Sequence, residues 1–358
     1  MRRLNGLYIL DSDALELTYG PAERRDIERY VDFVAPAQTR ATIAADRSLL
    51  KHVEVIFSGW GAPLLDDVFL DAAPNLKAFF HAAGSVGYCV TDEMWERGVM
   101  VTTANAANAV PVAEYTLGTI LFSLKHGWKL MRQTREQRTF VERDGAPGAY
   151  GSTIGLISLG AMGRAVLARL APFDFNVIVH DPYIDAAEAK ALGVELVSLA
   201  ELFKRADVVS LHSPSLAETQ GMITGAHLAS MKPGATFINT SRGEIVREDE
   251  LLAVAAERAD LQFVLDVVAT EPPPVDSPLY TLANIVLTPH IAGSVGNECR
   301  RMGRYMVQEL ERFVAGKPLK WLVTPESSRN TTHRPVTVKT FAKGSKAPRH
   351  SAPPLQSV

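Results

Sequence analysis

The chain has 358 residues, 47% of them hydrophobic, and carries a net charge of −3. That length suits two domains with a core each, and the mild negative charge argues against nucleic acid or an anionic membrane as partner. The two cysteines, Cys89 and Cys299, form no metal-ligand spacing and no disulfide framework, so no metal and an intracellular, cytoplasmic setting are expected.

The first apolar run, Leu7 to Leu10, is ended by Asp11 and is too short for a signal peptide. No run in the chain approaches the ~20 apolar residues of a membrane helix. Further short runs follow at Val53–Phe57, Leu76–Phe80 and Val99–Val101, with a helix-like stretch from Leu64 to Ala73 among them. Strands alternating with helices imply a parallel α/β sheet. Two of these strands end in small, backbone-exposing loops, 58–63 (SGWGAP) and 82–88 (AAGSVGY). Open α/β sheets bind ligands at such ends, although plain turn chemistry also accounts for the glycines.

Pro111 is expected to open a long helix reaching about Met131, since proline fits the first helical position. Leu117, Leu121, Leu124 and Trp128 recur on it at helical spacing and read as core or subunit packing. A loop at 144–148 (DGAPG) then feeds the stretch from Thr153 to Asp181 around which the chain is organised. Ile154 to Leu159 reads as a buried strand, a helix starts near Met162, and the second strand, Val177 to His180, stops at Asp181. Such a βαβ unit holds a dinucleotide, its pyrophosphate at the helix N-terminus and its ribose hydroxyls on the acid. The turn places Gly160 and Gly163 correctly, with Ala161 and Met162 between them, but Ser158 stands at the first glycine position. A side chain there narrows the accessible backbone angles. Asp181 lies 18 residues after Gly163, against the roughly 20 expected. No arginine stands at 182–184 to receive a 2′-phosphate, which favours NAD over NADP. The bland alternative is an ordinary βαβ turn with glycines for packing.

The α/β rhythm continues with strands at 206–212, 236–239, 263–266 and 285–288 and a helix from Leu251 to Ala256. Residues 296–315 form an amphipathic helix with Met302, Met306, Leu310 and Phe313 on one face, ended by Gly316 with Pro318 beyond. From Ser327 the composition changes to six Lys or Arg residues and no acid, which reads as a disordered tail rather than a nucleic-acid arm.

Three polar residues stand in loops that follow apolar strands: Arg242 after Asn239, Glu271 after Leu265–Asp266, and His290 after Leu287. Loops at the same edge of a parallel sheet converge beside the phosphate-binding turn. A guanidinium there can hold a carboxylate with two parallel hydrogen bonds. An imidazole can exchange a hydroxyl proton, and a neighbouring carboxylate would orient it and favour its charged form. Singly, each has a bland reading as a loop salt bridge or a capping residue.

Together these stretches resemble the D-isomer-specific 2-hydroxyacid dehydrogenases over roughly residues 50–325. The resemblance rests on Asn108 with Val112-Ala113-Glu114, on 153–164 (TIGLISLGAMGR), on His180–Tyr183, on 211–223 (LHSPSLAETQGMI), on 231–246 (MKPGATFINTSRGEIV), on 265–274 (LDVVATEPPP) and on 288–294 (TPHIAGS). Ser158 is the departure from the pattern. The resemblance implies two Rossmann-like or flavodoxin-like doubly wound domains, the NAD domain (109–295) inserted into a substrate domain made of 1–108 and 296–325, with 326–358 as tail. It implies a reaction between a 2-hydroxy acid and a 2-keto acid, with NAD as cofactor. In it Arg242 binds the substrate carboxylate and 2-oxygen, His290 is the acid/base and Glu271 its partner. The cofactor lies on Gly160, Ala161, Met162, Gly163, Asp181, Ser213, Thr240 and Asp266, the last on the nicotinamide carboxamide. Backbone N–H groups of Ser85, Val86 and Gly87 hold the carboxylate from the other domain. A homodimer through the 111–131 helix is implied as well. Formate oxidation is disfavoured, because formate dehydrogenases of the family carry Gln where Glu271 stands. Phosphite dehydrogenases and NAD-sensing corepressors share the triad and remain alternatives.

Overall fold

The apolar runs of the first hundred residues form five parallel strands: β1 (Leu4–Ile9), β2 (Val31–Phe33), β3 (Val55–Ser58), β4 (Ala78–His81) and β5 (Met100–Thr103). These come from a computed structural model, which describes residues 2–143 and 145–329. Seven more parallel strands form a second sheet: β6 (Thr153–Ile157), β7 (Asn176–His180), β8 (Glu195–Leu196), β9 (Val208–Leu211), β10 (Thr236–Asn239), β11 (Gln262–Leu265) and β12 (Ile285–Leu287). The chain then returns to the first sheet, where β13 (Leu322–Val323) pairs antiparallel with β5. The strand orders are β13-β5-β4-β3-β1-β2 and β12-β11-β10-β9-β6-β7-β8. The first contains the flavodoxin-like order and the second the doubly wound Rossmann order, so one α/β unit is inserted into another.

Both sheets are covered on two faces, which is why their strands read as continuous apolar runs. Successive side chains serve opposite cores. Phe79 packs with Ile56, Val86 and Cys89, whereas Phe80 packs with Tyr19, Phe57, Met302 and Met306. In the second sheet Phe237 and Ile238 divide in the same way.

Two chain crossings join the units, and they lie side by side. The Ser294 N–H donates to Asn108 Oδ1 at 2.8 Å. The helix at the first crossing departs from expectation. It runs Asn105–Ser123 with Pro111 inside it, and a second helix, Gly127–Gln137, follows a break at His126, whose φ is +49°. A proline inside a helix forfeits a hydrogen bond and crowds the preceding turn. Here Ala107, Ala109, Val112 and Ala113 are buried around it, and that packing offsets the cost. The C-terminal helix is shorter than its pattern suggests, with a 3₁₀ turn at Gly296–Glu298 before Cys299–Val314. Met302, Met306 and Leu310 are its buried face, as expected. Of the tail expected from 326 onward, Pro325–Arg329 is helical with Ser328 buried, and 330–358 lie outside the described residues. No helix among the described residues is long and apolar enough to cross a membrane.

Candidate active site

In the second sheet the strand order reverses between β6 and β9, so the loops after these strands diverge and open a crevice. The turn after β6 leads into the helix Ala161–Leu170. Ser158 has φ +73°, the left-handed backbone that glycine normally supplies. Its hydroxyl lies 2.6 Å from that of Ser213, which follows β9 across the crevice. A Cβ on Gly163 would meet the Ser158 carbonyl oxygen at 2.1 Å, so only glycine lets the helix sit this close to the turn. A Cβ on Gly160 would meet nothing within 4 Å. Gly160 and Ala161 are exposed, and the first helical turn carries neither an acid nor a side-chain cap. Open N–H groups at a helix start, with room above the glycine, fit a pyrophosphate.

Asp181 stands at the end of β7, where a ribose is expected, and it also fastens the turn. The Leu159 N–H donates to its Oδ2 at 2.7 Å and the Tyr183 N–H to its Oδ1 at 2.8 Å. Thr240 lies beyond β10, its hydroxyl 3.5 Å from that of Thr116. Ser241 Oγ donates to the Ser213 carbonyl, which ties the loop after β10 to the loop after β9.

Arg242 follows on the same loop. Asn239 shapes the turn: its Oδ1 accepts from Ser241 N at 2.9 Å, and its Nδ2 donates to the Arg242 carbonyl at 3.0 Å. A Cβ on Gly243 would meet the Val268 carbonyl carbon at 1.9 Å. The missing side chain therefore lets the Arg242 turn lie against the loop that carries Glu271. Burial pushes the Arg242 pKa down, while the charges of Glu244 and Glu271 push it back up.

Glu271 and His290 come together across β11 and β12, with Glu271 Oε2 and His290 Nδ1 2.9 Å apart. Burial works to raise the Glu271 pKa. The hydrogen bond and charge of His290, the Val268 N–H and the Arg242 charge outweigh it and hold the carboxyl below its usual value. All three predicted residues therefore share one electrostatic neighbourhood.

Asp266 does more than its sequence position announces. Its buried carboxylate accepts from Thr288 Oγ1 at 2.6 Å, Ile291 N at 2.8 Å and Ala292 N at 2.9 Å. These donors satisfy a buried acceptor, and they fix the loop on which His290 sits at φ +55°. Tyr115 continues the chain, its hydroxyl 2.9 Å from Thr288 Oγ1. Sequence reasoning passed over Tyr115, although it directly follows Glu114 of a recognised motif.

In the first sheet the loop 82–88 follows β4 and carries Ser85, Val86 and Gly87, with Val86 buried and the other two half-buried. Among the described residues no group of three or more His, Cys, Asp or Glu side chains could hold a metal.

Residues 117–292 match the model of the D-isomer specific 2-hydroxyacid dehydrogenase NAD binding domain. The chain is 34% identical over 256 residues to D-3-phosphoglycerate dehydrogenase of Mycobacterium bovis, covering 72% of this chain and 48% of that protein. It therefore spans about half the length of that relative. It is 33% identical over 283 residues to (S)-sulfolactate dehydrogenase of Chromohalobacter salexigens, covering 76% of this chain and 89% of that one. Among solved structures, the apo form of Rhodotorula graminis D-mandelate dehydrogenase matches with a TM-score of 0.76 at 24% identity, over 90% of this chain and 98% of that one, which shows the shared fold. The chain belongs to the D-isomer specific 2-hydroxyacid dehydrogenase family, and NAD is its cofactor.

Proposed function

We propose that the protein is a cytoplasmic NAD-dependent oxidoreductase that interconverts a 2-hydroxy acid and a 2-keto acid. The observation that carries the reading is the Glu271–His290 pair, 2.9 Å apart, in the electrostatic reach of Arg242. NAD, when bound, accepts the hydride in oxidation and, reduced, gives it back. The residues of the chain do the rest. Arg242 holds the substrate carboxylate and 2-oxygen with its planar fork and so positions the reacting carbon. His290 takes the hydroxyl proton in oxidation and returns it in reduction, with Glu271 orienting the ring. The backbone of Ser85, Val86 and Gly87 grips the carboxylate from the opposite domain, and closure of the two units excludes water.

Toward the cofactor, Gly160, Ala161, Met162 and Gly163 take the pyrophosphate, Asp181 the adenosine ribose, and Ser213 and Thr240 line the path between. Asp266 supports the carboxamide. The substrate domain comprises 1–108 and 296–325, and the NAD domain 109–295. A panel of 2-keto acids, run in the reducing direction with NADH and NADPH, tests the reading. Turnover of at least one keto acid with NADH is expected. NADH binding without turnover of any would favour an NAD-sensing protein instead.

We further propose that the protein is a homodimer through its first crossing. Phe122 (39% exposed), Met131 (56%), Phe140 (95%) and Tyr150 (87%) are exposed on its two helices and the segment that follows. Large apolar side chains left exposed along one stretch of chain suit an interface. Light scattering on the eluted protein should give twice the chain mass.

A further inference from the structure

The loop 82–88 is held from beneath by two side chains to which no role has been given so far. His81 ends β4 and is fully buried. Its ring stacks on Phe79 at 6.0 Å between centroids and meets the edge of Tyr88 at 6.0 Å. Its Nε2 lies 3.1 Å from the Ser85 carbonyl oxygen. A carbonyl only accepts, so Nε2 carries the proton and donates. Thr103 ends the neighbouring strand β5, and its hydroxyl lies 2.8 Å from both the Ala83 and the Gly84 carbonyl oxygens. The Ala104 N–H also donates to the Ala83 carbonyl, at 3.1 Å. Three consecutive carbonyls are thus drawn toward the ends of β4 and β5.

A trans peptide is planar, and its N–H points opposite to its carbonyl. Fixing the carbonyls of residues 83, 84 and 85 therefore fixes the N–H groups of Gly84, Ser85 and Val86, turned away from His81 and Thr103. We propose that His81 and Thr103 are positioning residues for the substrate carboxylate: by pinning these carbonyls they aim the N–H groups of the loop into the cleft. The inference rests on the functional reading above, in which this loop takes the carboxylate. Two further features agree with it. Burial lowers the His81 pKa to about 4, so the ring stays neutral, keeping one N–H for Ser85. Its Nδ1 is buried without a hydrogen-bond partner among the described residues. A leucine would avoid that cost, so the donor on the other nitrogen has to compensate for it.

The test uses the full-length protein with NADH bound and oxamate, a non-reacting 2-keto-acid mimic, as probe. His81→Leu and Thr103→Val remove the donors at little change in volume. His81→Gln and Thr103→Ser restore a donor. NADH affinity is measured by its fluorescence, oxamate affinity on the NADH complex, and KM and kcat with whichever keto acid the panel identifies. The expected result is oxamate binding and KM weakened about tenfold in His81→Leu and Thr103→Val. NADH affinity should stay within twofold of wild type, and Thr103→Ser should return most of the loss. Should His81→Leu fail to fold, the Thr103 pair decides alone. Wild-type oxamate affinity in a folded Thr103→Val protein overturns the inference, as does an equal loss of NADH affinity, which would mean a general structural role. If wild type binds NADH but turns over no keto acid of the panel, the functional reading itself has failed and the inference falls with it.

Discussion

Ser158 Oγ and Ser213 Oγ, 55 residues apart in the chain, lie 2.6 Å from each other across the crevice between β6 and β9. This hydroxyl pair sits where most dinucleotide turns carry a bare glycine. It gives the serine a compensation for its φ of +73°. Left-handed backbone costs a non-glycine residue roughly 1–2 kcal/mol, and a hydrogen bond contributes about 0.5–1.5 kcal/mol. The two effects oppose each other with similar size.

Ser158→Gly should therefore be close to neutral, because it relieves the strain and loses the bond together. Ser158→Ala keeps the strain and loses the bond, so it should destabilise by about 1 kcal/mol, or roughly 2–4 °C in Tm for a domain of this size. Thermal melts of both variants, with NADH titrations, check this. A large loss of NADH affinity in Ser158→Gly would instead show that the hydroxyl itself touches the cofactor.

Asp181 should select NADH over NADPH by at least tenfold in kcat/KM, about 1.4 kcal/mol. A 2′-phosphate would meet a carboxylate already fixed by the Leu159 and Tyr183 N–H groups. Asp181→Ala should narrow the gap. It should also raise KM for NADH, since the turn loses its fastening at Leu159. Kinetics with both cofactors measure the two effects separately.

Arg242→Ala should act on both KM and kcat, because one contact binds the carboxylate and positions the reacting carbon. Arg242→Lys should rescue poorly, an ammonium having no planar fork. A lysine variant with wild-type kcat would remove Arg242 from the role given to it.

His290→Ala should act mainly on kcat, by roughly 10²–10⁴-fold. Glu271→Gln should leave the protein folded and lower kcat, because the carboxylate 2.9 Å from His290 Nδ1 orients the ring for proton transfer. Steady-state kinetics in the reducing direction check this. A Glu271→Gln variant with wild-type kcat would show that the pair is not coupled.

Acid should destabilise the protein earlier than carboxylate titration alone would. Burial lowers the pKa values of His81 and His212 from 6.5 to about 4. Between those values the unfolded chain binds more of these protons than the native one, so the contribution of the two rings to stability falls as pH drops from about 6.5 toward 4 and is fully lost below that. Tm measured across this window should decline. His212→Gln, which removes one of the two groups, should flatten the slope.

The sequence by itself determined the family, the alternating strands and helices and the glycine turn with its serine, and it named Arg242, Glu271 and His290 as the candidates proposed for the site. Such features are local. A strand announces itself in five residues, and a motif fixes residue types at set spacings. The same locality misplaced Pro111, because a rule about helix starts knows nothing of the packing that tolerates a proline inside one. Only the tertiary structure decided which distant groups meet. Strand order, not spacing, brings Ser158 to Ser213 and Glu271 to His290, and turns the Asp266 carboxylate onto the His290 loop. His81 shows the limit most plainly. Its partner is four residues away, yet nothing local says that the ring is buried, neutral and holding a carbonyl. Those properties come from the strands and the loop packed around it.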